Sequence, residues 1–90
     1  MKIGVVGTNF VSDSFMEGAS HIDDITITCV TSGHIENAQK FAQKYNIETV
    51  CESLDKMLEK KIADAIYLAV PNGLHYEMTK KCILAGYPVL

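Results

Sequence analysis

The chain has 90 residues, of which 48% are hydrophobic, and its formal net charge is −3 at neutral pH. That length holds one small domain, and the apolar share is typical of a folded chain rather than a disordered one. The acidic balance, with no basic run longer than two lysines, excludes a surface that tracks nucleic-acid phosphates.

All eight basic residues are lysine, so the bidentate fork of a guanidinium is not there to hold an anion. The spacing of Cys29, Cys51 and Cys82 matches no metal-binding pattern. We expect these cysteines to be small buried residues of a protein in a reducing compartment. The N-terminus runs straight into an apolar strand, and no apolar stretch approaches the roughly 20 residues of a membrane helix. We therefore expect no membrane segment and a cytoplasmic location.

Apolar segments with strand character alternate with helical periodicity along the whole chain. In chain order, the pattern predicts a strand at 2–7, a helix at 10–20, a strand at 25–31, a helix at 35–45, a short strand at 49–51, a helix capped by Ser53, a strand at 65–70 and a helix at 74–85. Val89 and Leu90 are typical of the start of a further strand.

Particular residues are expected to end or orient these helices. Asn46 is placed to end the second helix in a left-handed conformation. In the first helix, the residues predicted to face the sheet are Phe10, Ser14 or Phe15, and Gly18.

The alternation predicts an α/β fold with a doubly wound parallel sheet and right-handed crossovers. Its first strand is expected to lie centrally, between the strands at 25–31 and 65–70. In such sheets the ligand crevice lies beyond the carboxyl ends of the strands. The segments 7–12, 31–34 and 70–75 should therefore meet around one site.

The turn after the first strand is the first part of that site. Dinucleotide-binding loops carry the pattern Gly-x-Gly-x-x-Gly or Ala, and the three small positions here hold Gly7, Asn9 and Ser12. Gly7 permits the tight turn, and Ser12 is small enough for close packing of helix on strand. Asn9 tolerates left-handed backbone angles, and its amide could donate to a phosphate. From the loop alone, a phosphate site and a simple strand–helix turn are equally good interpretations.

The end of the second strand bears on the choice of dinucleotide. An acidic residue there would bind the ribose hydroxyls of NAD, and a basic one the 2′-phosphate of NADP. The chain offers neither an acid nor an arginine, but Ser32 and His34 can hydrogen-bond a phosphate, and Lys40 is placed to reach it. This composition mildly favours NADP over NAD.

The third segment follows the strand at 65–70. Pro71 ends that strand, Asn72 is expected to cap the next helix, and His75 enters it. The segment could line the crevice where a nicotinamide would lie. A histidine in such a position more often packs or caps than reacts, so His75 is only a minor catalytic candidate, and no other residue of the chain is predicted to be catalytic.

Together these segments resemble the N-terminal domain of the Gfo/Idh/MocA oxidoreductases. The residues at 2–11, the Ser32 segment followed by 36–42, and the residues at 69–77 and 85–90 occur in family order and spacing. The resemblance implies a Rossmann-like fold that binds NAD(P), in enzymes acting on sugars and polyols. By resemblance, the pyrophosphate-loop positions are Gly7, Thr8, Asn9, Phe10 and Val11, the adenosine-ribose positions are Ser32, Gly33 and His34, and the positions beside the cofactor are Val70, Pro71, Asn72 and His75.

The chain departs from the family pattern at three points. Asn9 replaces the middle glycine, and Gly33 stands where many members carry an arginine. The chain also ends before the family's glutamate–lysine–proline motif and its second, substrate-binding α+β domain. We therefore expect residues 1–90 to be an incomplete dinucleotide-binding domain, inactive by itself, from a homo-oligomeric enzyme.

Two other interpretations fit the same residues. The first is a non-catalytic dinucleotide-sensing or scaffold module that keeps the fold without the chemistry. The second is a nucleotide-binding enzyme of another class on the same fold, such as a methyltransferase. The 71–75 segment argues against this interpretation. The exposed sheet edge and helix surface of a truncated domain also predict self-association or low stability.

Overall fold

A computed structural model describes residues 1–90. Four strands alternate with four helices: β1 Lys2–Val6, α1 Phe10–Ala19, β2 Thr26–Thr31, α2 Ile35–Tyr45, β3 Thr49–Val50, α3 Leu54–Lys60, β4 Ala65–Leu68 and α4 Asn72–Leu84. The predicted α/β alternation is confirmed throughout. No predicted bound differs from the observed one by more than two residues.

The four strands form one parallel sheet in the order β3-β2-β1-β4. As predicted, β1 lies between β2 and β4, and all its residues after Lys2 are buried. Val89 forms an isolated parallel bridge with Ile66, next to β4. This order is that of a doubly wound Rossmann-like sheet, and it gathers the loops after all four strands at one edge.

Helices cover both faces of the sheet and enclose two cores. On one face, Met16 of α1 and Phe41 of α2 pack on Val5 and Val30. On the other face, the buried side chains of α3 and α4 pack on β1, β2 and β4; they include Leu54, Met57, Leu58 and Cys82. Burial on both faces explains why β1 is continuously apolar.

The predicted inner face of α1 is wrong in part. Phe10 is 78% exposed, and Ser14 and Gly18 also face solvent. The buried residues of α1 are instead Ser12, Met16 and Ala19. Phe15 is half-buried and stacks on Tyr67 of β4, with 3.8 Å between ring centroids. The loop that precedes α1 determines which face of the helix is buried.

Helix boundaries follow local chemistry where a cap is present. Asn46 ends α2 with φ 57°, as predicted, and the Ser53 side chain accepts a hydrogen bond from the Lys56 amide at the start of α3. The predicted capping role of Asn72 is wrong, because Asn72 is already the first residue of α4 and Pro71 occupies the cap position. The Pro71 carbonyl accepts hydrogen bonds from the Leu74 and His75 amides, so the helix starts without a side-chain cap.

The three cysteines are free and buried, which confirms that they act as small core residues. Burial raises the pKa of the Cys29 thiol to about 11, and it also raises the pKa values of Cys51 and Cys82. No group of three or more histidine, cysteine or acidic side chains is arranged to hold a metal ion. None of the helices combines the length and hydrophobicity that crossing a bilayer requires.

Candidate dinucleotide site

A cleft of about 600 Å³ opens at the carboxyl edge of the sheet. The loops after all four strands form its walls, and α4 contributes one side. Its lining residues are Val6, Gly7, Thr8, Asn9, Thr31, Ser32, Gly33, Asn37, Glu52, Ser53, Leu54, Asp55, Ala69, Val70, Pro71, Leu74, Met78 and Lys81. The volume lies within the range of small-molecule sites.

Gly7 brings the first loop against the end of β4. Its φ of +100° is one that side-chain-bearing residues rarely adopt. A Cβ on Gly7 would lie 2.2 Å from the carbonyl oxygen of Ala69, so no other residue fits there without movement of the backbone. The Gly7 amide also donates to the Thr31 carbonyl over 2.9 Å. The predicted role of Gly7 in the tight turn is confirmed, and its cause is the neighbouring strand.

Asn9 ties the same loop to α1 and to β4. It is the N-cap of α1 in an extended conformation, with φ −96° and ψ −172°. Its Oδ1 accepts from the Val11 amide at 2.8 Å and from the Ser12 amide at 3.4 Å. Its Nδ2 donates to the Ala69 carbonyl at 2.8 Å. Asn9 therefore does not use the left-handed angles that it tolerates, because a cap side chain reaches the helix amides from an extended backbone.

Ser12 fixes how α1 lies on the sheet. It is fully buried, and its hydroxyl donates to the Gly7 carbonyl over 2.7 Å. The predicted close packing of helix on strand is confirmed at this residue. Because this bond turns Ser12 inward, Met16 and Ala19 follow on the inner face and Phe10 is left outside.

Hydroxyl groups join the first loop to the end of β2. The Thr8 hydroxyl donates to the Ser32 hydroxyl over 3.3 Å. Thr31 is buried, and its Oγ1 lacks a hydrogen-bond partner although the residue lines the cleft. An unpaired buried hydroxyl costs free energy unless something satisfies it, so Thr31 favours a polar ligand or water in the cleft.

Seven of the twelve predicted binding residues line the cleft and five do not. The seven are Gly7, Thr8, Asn9, Ser32, Gly33, Val70 and Pro71, and the five are Phe10, Val11, His34, Asn72 and His75. His75 is half-buried in α4, where its Nδ1 lies 3.3 Å from the Thr79 hydroxyl of the next turn. This is the packed arrangement that histidines commonly adopt.

Sequence reasoning missed the wall that follows β3. Glu52, Ser53 and Asp55 line the cleft, and Lys81 of α4 reaches across to Asp55 with 3.2 Å between Nζ and Oδ2. The signal was present, because the predicted short strand at 49–51 ends at the same sheet edge as the other strands. Asn37, in the first turn of α2, was missed in the same way.

The model of the oxidoreductase family with an NAD-binding Rossmann fold, Gfo/Idh/MocA, matches residues 1–90. The chain belongs to this family. Its residues 1–90 match the family's NAD-binding Rossmann fold, and the predicted resemblance is confirmed.

Among curated relatives, the chain is 38% identical over 90 residues to scyllo-inositol 2-dehydrogenase (NADP(+)) IolU of Bacillus subtilis. Among solved structures, it matches the WlbA dehydrogenase of Bordetella pertussis, crystallised with NADH and UDP-GlcNAcA, at 26% identity and a TM-score of 0.90 over 98% of the chain. The scyllo-inositol dehydrogenase of Lactobacillus casei, at 24% identity and a TM-score of 0.89 over 99% of the chain, shares the fold. The chain spans 27%, 27% and 26% of these three proteins, about a quarter of each.

Proposed function

We propose that this chain is the dinucleotide-binding part of an NAD(P)-dependent oxidoreductase that acts on a sugar or polyol. The observation that carries the proposal is the cleft at the carboxyl edge of the sheet, where Gly7, Thr8 and Ser32 meet Val70 and Pro71. The relative at 38% identity, a scyllo-inositol dehydrogenase by name, supports the reaction class. A bound nicotinamide supplies the hydride chemistry, and the protein positions the reacting groups.

The residues present fit such a cofactor. Of the residues that line the cleft, Gly7, Thr8 and Asn9 would place the pyrophosphate at the start of α1, where helix amides and dipole favour an anion. Ser32 and Gly33 would hold the adenosine ribose, and Val70 and Pro71 would flank the nicotinamide side. The unpaired Thr31 hydroxyl supports a polar ligand beside the ribose positions.

A binding measurement tests the assignment directly. Calorimetric titration of the chain with NADH and NADPH is expected to give one site, whereas ATP without a nicotinamide half is expected to bind at least about ten-fold more weakly. A longer form of the protein should in addition oxidise or reduce a polyol. Absence of dinucleotide binding in both forms would contradict the proposal.

NADP is the preferred cofactor in this proposal. No carboxylate stands at Ser32, Gly33 or His34 to repel a 2′-phosphate, and the relative at 38% identity carries NADP(+) in its name. The substitution Ser32→Asp places a carboxylate where it would accept hydrogen bonds from the ribose hydroxyls of NAD and repel the 2′-phosphate of NADP. We expect this change to weaken NADPH binding by about ten-fold or more while NADH binding is retained, with Ser32→Ala as the uncharged control.

A non-catalytic dinucleotide-sensing module is the second candidate. Asn9 favours it, because its side chain already occupies amides at the start of α1. A longer form that binds NADPH tightly but turns over no polyol would establish this alternative.

Other features of the whole protein remain predictions. A second domain would supply the substrate contacts, and its relatives, about four times longer, support that expectation. The homo-oligomeric state and the cytoplasmic location rest on the resemblance and on the cysteine pattern. His75 remains a minor catalytic candidate, and its contact with Thr79 favours a structural role.

A further inference from the structure

The Asn9 side chain uses both ends of its amide inside the proposed pyrophosphate loop. Its Oδ1 accepts from the amides of Val11 and Ser12, and its Nδ2 donates to the Ala69 carbonyl. The residue as a whole is exposed and lines the cleft. These three hydrogen bonds orient the amide group.

The amides that Asn9 occupies belong to the first turn of α1. The first N–H groups of a helix have no partner within the helix, which is why an anion binds there. The Val11 amide is 2.8 Å from Asn9 Oδ1, a full hydrogen bond, whereas the Ser12 amide is 3.4 Å away. A phosphate oxygen in the same place would compete first for the Val11 amide.

We propose that Asn9 is an internal substitute for a phosphate oxygen and that it sets the affinity of the dinucleotide. Its Oδ1 must leave the Val11 amide before the pyrophosphate can use that donor. The inference rests on the proposed function, since it concerns the same loop. It adds that Asn9 weakens binding through competition, and that it does so at the phosphates and not at the base or ribose.

The exchange is favourable because the two oxygens differ in charge. A phosphate oxygen makes a charge-assisted hydrogen bond with the amide, which is about twice as strong as the bond of a neutral carboxamide. The ligand still displaces a formed bond, and it also disturbs the contact from Nδ2 to Ala69. Glycine, with no side chain, would leave the amides open and cost little as a cap.

Three proteins separate competition from a purely structural role: wild type, Asn9→Gly and Asn9→Ser. The glycine variant frees the amides. The serine variant keeps a side-chain oxygen for capping but lacks the amide that reaches Ala69. Dissociation constants for NADPH, ADP-ribose and adenosine are measured by calorimetry on each. Adenosine has no phosphate, so its dissociation constant should be the same for all three proteins.

We expect Asn9→Gly to bind NADPH and ADP-ribose about two-fold more tightly than wild type, since glycine is only a slightly poorer N-cap than asparagine. Adenosine affinity should not change, and the gain of Asn9→Ser should be smaller than that of Asn9→Gly. Unchanged or weaker NADPH binding by Asn9→Gly overturns the inference, as does an equal gain for adenosine. An equal gain for Asn9→Ser would assign the effect to the Ala69 contact and also overturn it.

Failure of the proposed function would look different. If neither wild type nor Asn9→Gly binds NADPH or ADP-ribose, while both remain folded by circular dichroism, the dinucleotide assignment itself is wrong. If wild type binds and the glycine variant gains nothing, only the role of Asn9 is wrong.

Discussion

Gly7 shows that a residue of a phosphate loop can be required by the fold itself. A Cβ at this position would meet the Ala69 carbonyl at 2.2 Å, and the φ of +100° adds backbone strain. We expect Gly7→Ala to lower the free energy of unfolding by about 2–4 kcal/mol, since overpacking and strained angles each cost about 1–3 kcal/mol. Urea denaturation monitored by circular dichroism measures the difference.

Gly18 is the matched control for this substitution. It lies in α1 with open space around its Cβ position. Gly18→Ala should raise the free energy of unfolding by about 0.5–1 kcal/mol, because alanine loses less conformational freedom in a helix. If both alanine variants shift stability in the same direction, the clash at Ala69 is not what requires a glycine at position 7.

Single residues were predictable from the sequence where their reason is local. Asn46 ends α2 and Ser53 caps α3 because each acts on amides or carbonyls within a few residues. The reasons for Gly7 and Asn9 are not local, since both depend on the Ala69 carbonyl about 60 residues away. The sequence marks these two positions as a loop but does not identify the strand against which the loop is built.

At the scale of elements, a polar cluster fastens α1 to α2. Asp13 accepts a hydrogen bond from the Tyr45 hydroxyl at 2.5 Å and pairs with Lys44 at 3.2 Å. The hydrogen bond from Tyr45 and the nearby charge of Lys44 hold the pKa of the Asp13 carboxyl below its usual value, although desolvation acts to raise that pKa. The cluster lies outside the cleft, so we assign it to stability.

Removal of the Tyr45 hydroxyl tests that assignment. We expect Tyr45→Phe to lower the free energy of unfolding by about 0.5–1 kcal/mol at pH 7, a small value because Asp13 is partly solvated. A lowered folded pKa contributes stability above the ordinary pKa of aspartate and loses it as the pH falls through the folded value. The difference between wild type and Tyr45→Phe should therefore shrink toward pH 2.

Tyr76 supplies the control, because it is 74% exposed on α4. Tyr76→Phe should leave stability within about 0.5 kcal/mol of wild type at both pH values. An equal, pH-independent loss in the two phenylalanine variants would show that the Asp13 contact does not fasten the helices.

Element prediction succeeded where periodicity was strong and failed where apolar residues were scattered. The α2 bounds, Ile35–Tyr45, match the prediction, since its apolar residues recur on one face. In α1 the apolar residues do not recur on one face, and the hydrogen bond from Ser12 to Gly7 determines which face is buried. The start of α4 at Asn72 also differs from the prediction, because the cap position is held by Pro71 and not by Asn72 as expected.

For the whole molecule, chain topology was the most predictable property. The doubly wound rule correctly places β1 between β2 and β4, whereas the place of β3 at the sheet edge was not predicted. The same rule brings three predicted segments to one cleft. The fourth wall, at Glu52 and Asp55, was not predicted, although the predicted strand at 49–51 ends at the same sheet edge as the other strands.

The buried thiols give the whole molecule a pH-dependent stability above neutrality. Burial raises the pKa of Cys29 to about 11 from an ordinary value of 9.0. Between these values the folded state keeps a proton that the unfolded chain releases, so stability falls as the pH rises. A shift of about two units corresponds to about 2–3 kcal/mol of lost stability between pH 9 and pH 11.

Cys29→Ala isolates this contribution from other groups that titrate in the same range. The variant leaves a small cavity, so it should be less stable than wild type at pH 8. Its stability should then fall less steeply with pH, and the two profiles should converge as the pH approaches 11. Urea unfolding at closely spaced pH values under reducing conditions measures both curves, and parallel profiles would show that the Cys29 thiol does not set the alkaline limit of the fold.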